Sequence, residues 1–397
     1  MYSKFLGGIL LITGTSIGAG MLGLPIAAAQ LGFVGSLILL FVCWFIMLAC
    51  AFLLLEVNLW LPQKNNLISM AKVSIGPVGQ IIAWISYLLL LYSLLCAYIA
   101  GGSDLFHNLL EVLGFNTPMW VASIFFTLLF GSVVYSGMSS VDKTNRVFMG
   151  VKLCTFFIVA LFLLPFISTA KLATGNLYYL TSVSALTVTT ASFGWAALIP
   201  SLRVYFAGDL KKLKVVIIIG SAIPLICYII WDAVIMGIIP LSGKNSLEFI
   251  LHSTNSTSGL VDILNTHVEN DSILFFIKLF TSICVLTSFL GVALCLTDFL
   301  ADGLNIEKKG YPNLLIHSLT FIPSLSIAIF FPNVFIKALE YAGIYATVLL
   351  ILLPAWMAWS GRYRKGLAKG FTVLGGKTLL VLIIVFALML LIRGITN

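Results

Sequence analysis

Between Lys4 and Glu56 the chain carries no charged residue, and the apolar runs there are long enough to cross a bilayer twice. Runs of about 20 apolar residues mark transmembrane helices. The pattern recurs along the sequence, with eleven runs at roughly 5–30, 34–60, 79–103, 119–137, 147–168, 184–206, 214–240, 272–301, 313–331, 335–359 and 376–394. Composition agrees: 60% of the 397 residues are hydrophobic and 9% charged, so lipid must solvate most of the chain. The first run is too long for a cleaved signal peptide and no small-residue cleavage site follows it, so it reads as a retained span. The expected fold class is an all-α integral membrane protein with 11 transmembrane helices.

Loop charge sets the direction. One side of the alternation receives Lys4, Lys64, Lys72, Lys143, Arg146, Lys211, Lys212, Lys214, Lys308, Lys309, Arg362, Arg364, Lys365 and Lys369. The other receives little beyond Lys171, Lys244 and Arg393. The positive-inside rule places the first side in the cytoplasm, with the N-terminus inside and the C-terminus outside. The net charge of +8 is thus an orientation signal, and its scatter over separate loops argues against a nucleic-acid partner. Asp104, Glu111, Glu248, Asp262, Glu269 and Asp271 fall to outer loops. The longest of these, about 241–271, holds two short apolar patterns, Leu247–Leu251 and Leu260–Leu264, around the polar turn "HSTNST". It reads either as a helical hairpin over the outer mouth or as a solvated loop. The seven cysteines lie in apolar runs without paired spacing and read as small buried hydrophobes, so no metal site is expected.

Two spans are built to come apart. The first contains "TGTSIGAGMLGLP", Thr13 to Pro25, and the sixth contains "SFGWAALIP", Ser192 to Pro200. Both give Ser-x-Gly, at Ser16–Gly18 and Ser192–Gly194, then small residues, then a proline. Five spans separate them, so they cross the membrane in opposite directions. Glycine in one membrane helix is ordinarily explained by close packing. A matched pair of Gly/Pro-interrupted spans points instead to an inverted-repeat transporter. Unpaired backbone groups cost several kcal/mol each in hydrocarbon, so a broken helix survives where it lines a polar cavity. There the freed N–H groups and dipole suit a carboxylate, and the freed carbonyls suit an ammonium.

The string "IGAGMLGLPIAAAQLGF", Ile17 to Phe33, resembles the N-terminal signature of the hydroxy/aromatic amino acid permeases, within the amino acid–polyamine–organocation superfamily. "LLLEVN" (Leu53–Asn58), "SFGWAALIPSL" (Ser192–Leu202), "GSAIPLICYIIWDAVIMG" (Gly220–Gly237) and "TSFLGVALCLTDFLADGL" (Thr287–Leu304) are similar to that family too, in its order. Gln30 stands where the family pattern has glycine, Gly23 where it has serine or alanine, and "SFGWAA" replaces "SFGFH". "LPIAAAQLGF" is nearer the tyrosine branch than the tryptophan branch.

The resemblance implies a bacterial inner-membrane carrier with the leucine-transporter-like fold, a single domain of two inverted repeats (5–168 and 184–359) plus a last helix at 376–394. It implies an aromatic amino acid as substrate, tyrosine before tryptophan, taken up by proton symport with no cofactor and no obligate protein partner. Thr15, Ser16, Gly18, Ala19 and Gly20 would face the carboxylate, and carbonyls near Ile17 and Ser192–Gly194 the ammonium. Phe193 and Trp195 are candidates for the aromatic slot, with Tyr87, Tyr92 and Phe289 further candidates. For such aromatics outside the sixth span, lipid contact or packing is the plainer reading.

Coupling has two readings. Lys152, inside the fifth span, is expensive to bury as a cation and could exchange a proton as the cavity opens and closes. Relatives in the superfamily carry a similar span-5 lysine that reaches the first-span break in place of a sodium ion. Otherwise Lys152 snorkels to the interface. Sodium would instead use the hydroxyls of Thr287 and Ser288 with first-span carbonyls. Asp232 and Glu340 are further proton-path candidates, whereas Glu56 and Asp298 are placed to pair with inner-loop cations. An enzyme is disfavoured because none of His107, His252, His267 and His317 pairs with Cys or carboxylate at metal-ligand spacing. A channel is disfavoured because no filter loop or charge ring recurs. A sensor built on a transporter fold stays open.

Overall fold

With no water to bond the backbone, a chain in hydrocarbon satisfies its N–H and C=O groups internally, and every apolar run here is helical. The computed structural model describes residues 2–63, 65–253, 255–268, 270–308, 310–331, 334–368 and 370–396. Lys64, Glu269, Lys309 and Lys369, which entered the charge reading, and Thr254 of the "HSTNST" turn lie outside the described residues. No strand occurs among those described.

The first span is two helices, α1 (Tyr2–Ser16) and α2 (Ala19–Ala27), bent by 49° at their break. Next come α3 (Gly32–Leu59), the short α4 (Leu67–Ser74), α5 (Pro77–Val112), α6 (Met119–Tyr135) and α7 (Met138–Leu163). After the four-residue α8 (Thr169–Leu172), the sixth span is α9 (Val183–Ser192), a 3₁₀ turn at Gly194–Leu198 and α10 (Ile199–Tyr205). It remains one span rather than bending sharply, so the two matched motifs break differently. α11 (Leu210–Ile238) leads to a short helical pair, α12 (Leu247–Leu251) and α13 (Ser256–Val268). The chain closes with α14 (Asp271–Leu304), α15 (Gly310–Phe330), α16 (Val334–Ala346), a π turn at Thr347–Leu352, α17 (Leu353–Tyr363) and α18 (Gly376–Thr396). The π turn precedes Pro354, which has no N–H to continue a regular ladder.

Among the described residues nine helices are long and apolar enough to span a bilayer, and the bent pair makes a tenth; α6, at 17 residues, is shorter but apolar. α2 and α9 pack on each other at the centre, against α3 and α16, while α5 lies along α14 and α16. α5 runs on to Val112, past the expected end near 103, so Asp104 belongs to a helix rather than a loop. The pair Gly101–Gly102 does not stop it, because close packing uses the missing side chains. A Cβ at Gly102 would stand 2.2 Å from the Phe126 ring of α6. Of the cysteines, Cys154 and Cys295 are exposed on the bundle rather than buried.

Both ends of the bundle are pinned. At one end, Asp104 of α5 accepts from the Thr257 and Ser258 N–H groups at 3.0 and 2.7 Å, and from the Ser258 hydroxyl at 2.6 Å, capping α13. Gln30 Nε2 donates to Glu248 Oε1 at 2.9 Å, tying the end of the first span to α12. At the other end, the fully buried Glu56 takes Arg362 in a bidentate pair at 2.7 and 2.5 Å, plus the Val373 N–H at 2.8 Å. Asp298 pairs with Lys308.

Candidate functional site

Gly18 sits in extended backbone (φ −155°, ψ −156°) between α1 and α2, which opens the first helix. Among the described residues its N–H and that of Gly20 donate to no acceptor. The Ala19 N–H donates to Ser288 Oγ of α14 at 2.9 Å, and Met21 N–H to the Gly18 carbonyl at 3.1 Å. Side chains are excluded at the break: a Cβ on Gly18 would stand 2.2 Å from Ser288 Oγ. A Cβ on Gly20 would stand 3.1 Å from Ser192 Oγ, so the start of α2 faces the second Ser-x-Gly motif.

Lys152 reaches this point from α7. Its side chain is fully buried, and Nζ donates to the Ile17 carbonyl at 2.5 Å and to Thr287 Oγ1 at 3.3 Å. Among the described residues no carboxylate pairs with it. Both of its hydrogen-bond partners are neutral oxygens, so nothing bonded to it balances the cost of burying a charge.

A residue that the sequence reading left without a role completes the centre. The hydroxyl of Tyr228, on α11, lies 2.6 Å from the Ser16 carbonyl and 2.8 Å from the Ser192 carbonyl. These are the matched serines of the two motifs, so one fully buried phenol spans both breaks. Its ring makes an edge contact with Phe193 at 5.3 Å. The available signal was a tyrosine in mid-span, since a phenol hydroxyl buried in a membrane must find a partner.

The other predicted residues divide. Phe193 and Trp195 are fully buried beside the second break, and the Trp195 indole N–H has no acceptor among the described residues. Gly194 faces open space. The Ser16 and Ser192 hydroxyls donate back to Ile12 and Val188, four residues earlier, and so are not free donors. Thr15 is exposed and bonds Leu11. Tyr87 packs on Phe299, the Tyr92 hydroxyl donates to the Leu319 carbonyl at 2.8 Å, and Phe289 stacks on Phe321 at 5.8 Å. Asp232 is fully buried, with one oxygen 2.5 Å from Ser36 Oγ and the other without a partner among the described residues. Glu340 accepts from Ser184.

Apolar helices, a first span broken where buried backbone groups are free, and a buried lysine on the break define a multi-pass membrane transport protein, not an enzyme. A family model described as the tryptophan/tyrosine permease family matches residues 1–393, and the chain belongs to that family. It is 34% identical over 393 residues to the "Tyrosine-specific transport system 1" of Haemophilus influenzae, covering 98% of this chain and 96% of that protein. It is 32% identical over 387 residues to the "Tryptophan-specific transport protein" of Shigella flexneri, covering 96% and 92%. The "Glutamine transporter 2" of Aliivibrio fischeri is 30% identical over the full length of both chains.

Proposed function

We propose that the chain imports an aromatic amino acid, most favourably tyrosine, together with protons, by alternating access across a bacterial inner membrane. Its N-terminus then lies inside, its C-terminus outside, and 5–168 and 184–359 act as inverted repeats. The free N–H groups of Gly18 and Gly20, at the start of α2, suit the substrate carboxylate. The carbonyls of Ser16 and Ser192 suit its ammonium, in exchange with the Tyr228 hydroxyl. Phe193 and Trp195 would flank the ring, and the unpaired Trp195 N–H offers a donor to a phenol oxygen. That donor is what favours tyrosine over phenylalanine.

The observation that carries the coupling is the place of Lys152. Its ammonium occupies the Ile17 carbonyl and the Thr287 hydroxyl, the oxygens a sodium site would need, and Ser288 Oγ already serves Ala19. A cation there excludes another cation. Gain and loss of a proton at Lys152 would tighten and release the first break. Labelled tyrosine accumulation in liposomes, driven by a pH gradient or by a sodium gradient alone, tests the reading. Accumulation with the pH gradient supports it, and accumulation only with sodium removes Lys152 from the role.

A further inference from the structure

Away from the breaks, a half-enclosed cavity of about 310 Å³ lies between α5, α6, α13 and α14. Its size falls at the low end of small-ligand pockets, about 300–1,000 Å³. Three rings form its wall: Phe106 and Phe126 with centroids 6.5 Å apart, and Phe126 and Phe130 5.0 Å apart. Its polar groups include Asp262 of α13 and Lys278 of α14, which attract each other but form no ion pair within bonding distance. Asn108 and Ser282 also line it, and among the described residues neither side chain has a hydrogen-bond partner. An aromatic box with separated opposite charges is complementary to a zwitterion bearing a ring.

The cavity communicates with the centre through few atoms. Phe126 meets Phe289 edge-on at 5.2 Å, and Phe289 follows Ser288, which holds the Ala19 N–H at the break. Lining residue Val285 lies one helical turn outward from Ser288–Phe289 on α14. Ser258, on the opposite wall, is one of the two residues through which Asp104 caps α13. An occupant would therefore touch both the short helical pair and the helix that supports the first break.

We propose that this cavity is a second, outer binding site for the transported aromatic amino acid, with Asp262 meeting its ammonium, Lys278 its carboxylate and the three phenylalanines its ring. The proposal rests on the aromatic amino acid reading of the central site. It commits to an amino acid rather than a lipid because the enclosed volume suits one ring and its backbone, whereas acyl chains extend well beyond it.

Equilibrium binding of labelled tyrosine to purified full-length protein, in detergent and in nanodiscs of phosphatidylethanolamine, provides the test. Two tyrosines per chain are expected in both settings. Ser282→Trp, which fills the cavity from its exposed rim, and the double variant Asp262→Asn/Lys278→Gln should each bind one. One tyrosine per wild-type chain, unchanged by either variant, overturns the outer site and leaves the central reading standing. Two in detergent but one in nanodiscs means lipid owns the cavity and also overturns it. No tyrosine bound in either setting overturns both the outer site and the tyrosine reading.

Discussion

The ammonium of Lys152 meets the carbonyl of Ile17 at 2.5 Å, joining the middle of α7 to the break in the first span. Lys152→Met keeps length and apolar bulk while removing the donor and the charge. Accumulation driven by a pH gradient is expected to fall about 100-fold, equivalent to ~2.7 kcal/mol. Tyrosine exchange without a gradient is expected to persist, because the N–H groups of Gly18 and Gly20 are untouched. Comparing the two fluxes in the same liposomes separates coupling from binding.

Tyr228→Phe keeps the ring contact with Phe193 but strips the hydroxyl from two buried carbonyls. The loss is expected to cost about 1–3 kcal/mol of stability, lowering the thermal unfolding midpoint in detergent. Saturating tyrosine should narrow the gap to wild type, since its ammonium can serve the same carbonyls. An unchanged midpoint would mean that the phenol does not hold the breaks together.

Gly18→Ala places a methyl 2.2 Å from Ser288 Oγ, so Ser288 must move and give up the Ala19 N–H. Loss of binding is expected for the single variant. Gly18→Ala/Ser288→Ala removes the clashing oxygen and should recover part of the affinity. A double-mutant cycle on binding reads this coupling, expected at about 1 kcal/mol or more. Additive effects would show that the two residues do not meet.

Trp195→Phe removes an indole donor that has no acceptor among the described residues. The KM for tyrosine is expected to rise about tenfold, or ~1.4 kcal/mol, with that for phenylalanine nearly unchanged. Equal changes for both substrates would assign the indole to packing alone.

Hydropathy made the helices legible, because a membrane leaves the backbone no alternative to helix. Glycine and proline spacing made the first break legible, and Lys152 stood out as a cation inside an apolar run. The differences have local causes. α5 continues past its expected end because Gly101 and Gly102 are held by Phe335 and Phe126 rather than left open. Thr15 and Ser16 were expected to offer hydroxyls, but inside a helix each returns to the carbonyl four residues back. Tyr228 drew no attention because a tyrosine in an apolar run resembles many others until its hydroxyl is placed between Ser16 and Ser192. The Gln30–Glu248 bond and the Asp104 cap of α13 join residues over 150 positions apart, which no local pattern encodes.

Proton movement itself tests the central claim most directly. Liposomes containing the protein and an internal pH dye, in sodium-free buffer, should acidify when tyrosine is added outside, and those carrying Lys152→Met should not. Tyrosine entry with no pH change in the wild-type liposomes would contradict the account.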